Sequence, residues 1–71
     1  MPKRHSSQHI IKVLEIHGFY FVSQKGSHAK YRKIDNETVV TVIVPTPSKE
    51  IPVGTFRSIV RQSKLDIAEF D

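Results

Sequence analysis

The sequence predicts a two-layer α+β domain in the order helix, three-stranded antiparallel sheet, helix. Three observations predict it. Apolar residues recur at helical spacing near both ends of the chain. Between them lie three segments rich in aromatic and β-branched residues. Short turn clusters, Gly26-Ser27 and Asp35-Asn36-Glu37, separate those segments, which makes them a meander. A sheet of this kind packs helices on one face and leaves the other open.

The first helix is expected from about Ser7 to His17. Ile10, Val13, Leu14 and His17 share one face, Ser6 or Ser7 can cap the start, and Gly18 can end it in a left-handed conformation. A strand follows from Phe19 to about Lys25. After the Gly26-Ser27 turn, His28 to Ile34 forms a second strand. His28, Lys30 and Arg32 lie on one face of it, Ala29 and Tyr31 on the other. Thr38 to Val44 is the strongest strand signal. Pro45-Thr46-Pro47-Ser48-Lys49 reads as a loop, since proline lacks the donor a sheet ladder uses. The second helix is expected to begin between Pro52 and Thr55. Phe56, Ile59, Val60 and Ser63 form its inner face, with Arg57, Arg61 and Lys64 outside. Asp66 is expected to cap a last short turn that carries Ile67 and Phe70 to the core.

At 71 residues the chain is expected to be one domain. A domain this short buries only about 60% of the surface its unfolded chain exposes, so its core is thin. It contains no cysteine, which excludes a disulfide scaffold and the usual zinc-finger ligand sets and fits a reducing compartment. The polar, basic start and the lack of any long apolar run predict no leader and no membrane span, hence a cytoplasmic protein. Eleven Lys and Arg against seven Asp and Glu give a net charge of +4, which favours an anionic partner such as nucleic acid.

Several polar residues invite chemical readings. His5 and His9 are four apart, but with no cysteine or nearby carboxylate to join them no metal site is expected. His17 lies on the apolar helix face and reads as a packing residue. Gly26 is a turn residue, because one glycine is not a phosphate-binding loop. Ser27 lacks an Asp or Glu in sequence to complete a triad with His28. Tyr31 is expected in the core, although Tyr20 or Tyr31 could stack on an unpaired base.

At Gly18-Phe19, Lys25-Gly26-Ser27-His28, Val44-Pro45, Lys49-Glu50-Ile51 and Gly54-Thr55-Phe56-Arg57-Ser58-Ile59 the sequence resembles the HicA family of RNA-cleaving toxins. The resemblance covers about Ile10 to Phe70, in the family's order and spacing. It implies a fold like the double-stranded-RNA-binding domain and cleavage of mRNA through the histidine of the Gly-Ser-His motif, here His28. It implies no cofactor, and a HicB-type antitoxin that covers that histidine. Gly26 would shape the turn. One departure stands out: Val44-Pro45 is followed by Thr46-Pro47-Ser48, where many members carry a second histidine.

Histidine suits this chemistry because its ordinary pKa, about 6.5, lies near working pH. RNA supplies its own nucleophile, the 2′-hydroxyl. His28 is then expected to serve as general base on that hydroxyl or as acid on the leaving 5′-oxygen, without metal. Lys25, Lys30 and Arg32 are expected to stabilise the phosphorane-like transition state. With Ser27, Arg57, Arg61 and Lys64 they form the expected RNA-binding set. Two other readings use the same residues: a non-catalytic RNA-binding module of the double-stranded-RNA-binding kind, and a module that binds only another protein. The first lacks support at Pro52-Val53-Gly54-Thr55, where such modules concentrate lysines.

Overall fold

A computed structural model describes residues 5–71; the basic start read above as free of a leader lies outside the described residues. The elements are α1 (Ser7–Ile16), β1 (Tyr20–Lys25), β2 (His28–Asp35), β3 (Thr38–Pro45), α2 (Val53–Ser63) and a closing 3₁₀ turn (Ile67–Phe70). The strands pair antiparallel in the order β1-β2-β3. This is the α+β layout that the sequence predicts. Among the described residues no helix is long and apolar enough to cross a membrane.

Local chemistry sets the element ends. The Ser6 hydroxyl accepts from the His9 amide at 3.1 Å and caps α1. Gly18 takes φ +94° and turns the chain into β1. The Asn36-Glu37 turn has positive φ at both residues, 47° and 68°, which joins β2 to β3 in a two-residue hairpin with Asp35 opposite Thr38. Asp66 accepts from the Ala68 amide at 2.9 Å and starts the last turn.

Ile10, Val13 and Leu14 of α1 pack on Ala29 and Tyr31 of β2 and on Val40, Val42 and Val44 of β3. Ile51, Ile59 and Phe70 complete this core. Burial of each large side chain contributes about 1.5–3 kcal/mol. Tyr31 is in the core as expected, and its burial first, then the Glu15 carboxylate, raises its phenol above the ordinary value of 10.0. Tyr20 is exposed. The loop after β3 is tied to α1: the Ser48 carbonyl accepts from the Ser7 amide at 2.8 Å and the Ser48 amide donates to the Ser7 hydroxyl at 3.0 Å.

The structure corrects two expectations. Pro45 belongs to β3, opposite His28, because its nitrogen faces the free outer edge, as does that of Ile43, and so no ladder bond is lost. The ladder's next donor, the Thr46 amide, reaches the Ser27 carbonyl at 2.8 Å. Ile67 does not reach the core and is 53% exposed. A 3₁₀ turn rises about 2 Å per residue, so Ile67 stands about 6 Å from Phe70 along the axis, at the rim. Leu65 packs against the core instead.

Candidate active site

His28 is placed by the turn before it. Gly26 adopts φ +58°, the left-handed conformation that a two-residue hairpin asks of its first central residue. The Gln24 side-chain amide donates to the Gly26 carbonyl at 3.0 Å and braces the turn. Lys25 then lies opposite His28 on one side, and Pro45 opposite it on the other. The His28 side chain is exposed, and among the described residues no hydrogen bond or ion pair holds its ring. A carboxylate that would orient it as in a triad is therefore missing from its surroundings. Ser27 is exposed beside it.

An open cleft of about 400 Å³ begins at this histidine. It exists because β3 is the edge of the sheet and α2 runs alongside that edge. The sheet contributes His28, Ile43 and Pro45; α2 contributes Thr55, Ser58 and Gln62, with Pro52 and Ile59 adding apolar wall. A hydrogen bond joins the two sides: the Ile43 amide donates to Gln62 Oε1 at 3.1 Å. This satisfies an edge amide that would otherwise be left to solvent. Among the described residues no carboxylate lines the cleft, which suits it to an anion.

The basic residues divide. Alternation along β2 puts Lys30 and Arg32 on the His28 side of the sheet, opposite the buried Ala29 and Tyr31. Register places Lys30 between Ser23 and Ile43, and Arg32 between Tyr20 and Thr41. The Arg32 Nε is buried with no hydrogen-bond partner among the described residues. Arg61 reaches the cleft rim, its Nη2 donating to Ser58 Oγ at 3.4 Å. Arg57 does not join them. It follows Thr55 by two residues, about 200° round the helix, and so faces away from the cleft. Lys64 lies beyond the end of α2 with φ +60°.

The remaining histidines are structural neighbours of the core. The His5 and His9 rings stack at 4.9 Å, His5 also packs on Phe56 at 4.7 Å, and His9 Nε2 lies 2.6 Å from the Phe70 carbonyl. His17 is partly buried and its Nε2 is 3.0 Å from Glu69. Among the described residues no group of three or more metal-ligating side chains gathers.

Thr55, Ser58 and Gln62 are the cleft residues that the sequence reading passed over. Their spacing of three and four was a legible stripe. A polar stripe beside an apolar one reads as a solvated helix face, however, and only the packing of α2 along β3 turns it toward His28.

A family model described as the HicA toxin of bacterial toxin-antitoxin matches residues 7–65. A search of curated proteins finds no match.

Proposed function

Because the chain belongs to the HicA toxin family, the toxin side of bacterial toxin–antitoxin pairs with an antitoxin partner, we propose that it is an endoribonuclease that cleaves mRNA with His28 as its single catalytic histidine. The observation that carries this reading is the placement of His28. Its ring is exposed, unheld, next to Lys25, and at the mouth of a cleft without carboxylates.

In this mechanism the 2′-oxygen bonds to phosphorus as its proton leaves, and the bond from phosphorus to the 5′-oxygen breaks. His28 takes the first proton as base, or supplies the proton that the departing 5′-oxygen gains; water serves at the other position. The products are a 2′,3′-cyclic phosphate and a 5′-hydroxyl, and no metal takes part. Lys25, Lys30 and Arg32, with Arg61 at the rim, stabilise the charge that builds on the phosphoryl oxygens. Ser27 hydrogen-bonds a phosphate oxygen in this reading, and Gly26 sets the turn. Inhibition needs only a protein that occludes His28 and these cations, and a HicB-type antitoxin fills that role.

Incubating the purified chain with single-stranded RNA in EDTA tests the reading. Cleavage is expected to persist, to leave 5′-hydroxyl ends, and to fall by about 10²–10⁴ in His28→Ala, the usual worth of a general acid or base. Products with 5′-phosphate ends, or loss of cleavage in EDTA, would remove the mechanism. Unchanged cleavage by His28→Ala would remove the site. An inert RNA-binding module would bind the RNA and cut nothing.

A further inference from the structure

We infer that the cleft between β3 and α2 seats one unpaired ribonucleoside next to the cleaved phosphate, and that Gln62 selects for a base that offers a carbonyl oxygen. The inference rests on the RNA-cleaving reading of His28 and adds to it a substrate form and a selectivity.

The shape of the site argues for a nucleoside. The cleft holds about 400 Å³, within the lower part of the range in which small ligands are seated, roughly 300–1,000 Å³. Ile43, Pro45, Pro52 and Ile59 give it apolar walls, suited to the faces of a base or ribose. Thr55, Ser58 and Gln62 set polar groups on the helix side, and His28 closes the sheet end. A base stacked inside a duplex cannot enter such a cleft, whereas a splayed single-stranded base can. The same requirement comes from the reaction, because a 2′-oxygen must swing into line with the departing 5′-oxygen, and a stacked A-form strand prevents this.

The selectivity follows from one hydrogen bond. The Ile43 amide is a donor, so the atom of Gln62 that meets it must be the carbonyl oxygen. That bond fixes the amide's orientation and leaves its NH₂ group as the part available to the cleft. Gln62 can therefore donate to a ligand, while its acceptor is engaged. Uracil, guanine and cytosine each present a carbonyl oxygen that can accept from it. Adenine has no carbonyl oxygen: it accepts only through ring nitrogens, which are set back from the base edge by the length of a C=O bond, two of them beside its own amino donor, so it is expected to rank last.

The test titrates isotope-labelled protein with the four nucleoside 3′-monophosphates and follows the spectrum by NMR. Uridine, guanosine and cytidine 3′-monophosphate are expected to shift the Gln62 side-chain amide together with Ile43, Thr55 and Ser58. The adenosine compound should bind about twofold to tenfold more weakly, at most the worth of one hydrogen bond. Gln62→Glu keeps an acceptor for the Ile43 amide but loses the donor, so it should erase the difference between bases without lowering the melting temperature. A charge effect alone would weaken all four equally and keep their order. Shifts confined to Lys25, Lys30 and Arg32, an unchanged base order in Gln62→Glu, or cleft shifts as large with duplex RNA as with single strands would each overturn the inference. Binding in the cleft by a protein that cuts no RNA would leave this inference standing and remove the catalytic reading; cutting without cleft shifts would do the reverse.

Discussion

The two ends of β2 are built alike and surrounded differently. At one end Gly26-Ser27 joins it to β1, at the other Asn36-Glu37 joins it to β3, and both are two-residue hairpins that need positive φ. At the first end the loop after β3 and the start of α2 come back beside the strand, and the Thr46 amide ties that loop to Ser27. The far end is more open. Its cross-strand pair, Ile34 and Val39, stays 64% and 56% exposed. A hairpin thus supplies an exposed side chain, but only a second element alongside turns that exposure into a cleft with polar and apolar walls.

The largest expected effect sets one end against the other. His28→Ala should reduce cleavage by about 10²–10⁴ and leave the melting temperature within about 2 °C, because an exposed, unheld ring contributes little to folding. Ile34→Ala at the far end should leave both cleavage and melting nearly unchanged, and a comparable loss of activity there would show that the whole open face, and not one end, carries the reaction.

A smaller effect concerns charge. Lys25→Ala and Lys30→Ala should each weaken RNA binding and lower the slope of log affinity against log salt by about 1, the signature of one phosphate contact. Lys33 is the control, since it lies over the Phe19 ring at 5.7 Å, on the opposite side of β2 from Lys30 by two-residue alternation of the faces. Lys33→Ala should leave the slope unchanged. Equal slopes for Lys30 and Lys33 variants would mean that net charge attracts RNA without any defined track.

The same contrast shows what the sequence could reveal. Residues whose role is set by their own neighbours in the chain were readable: the apolar spacing of Ile10, Val13 and Leu14, the alternation of Ala29 and Tyr31 with charged residues, the turns at Gly26 and Asn36, and the cap at Asp66. Ser27-His28 was singled out through its family motif, and the structure shows the pair exposed at the β1–β2 turn. Residues whose role depends on how elements pack were not. Gln62 and Ser58 acquire theirs from the lie of α2 along an edge strand, and Arg57 lost its expected place through the rotation of that helix. Pro45 was misjudged because a strand's free edge is a property of the sheet.

The smallest effects compare the two turns directly. Glu37 holds φ 68°, a conformation that a side chain disfavours by about 1–2 kcal/mol and glycine does not. Glu37→Gly should therefore stabilise the protein, by about 1 kcal/mol once the added freedom of the unfolded chain is subtracted. Gly26 holds φ +58°, and a Cβ there would meet nothing within 4 Å. Gly26→Ala should consequently lose about 1 kcal/mol through backbone preference alone, with no steric clash. For a domain of this size each change corresponds to about 4–8 °C in melting temperature, upward for the far turn and downward for the near one. Thermal melts of the two variants and of the double variant check this, and the double variant should fall close to the parent, because the turns sit at opposite ends of β2 and share no partner. Two shifts of the same sign would show that the turns differ in more than the residue each places in the left-handed region. A double variant well below the parent would mean that the near turn's tie to Thr46 depends on glycine as well.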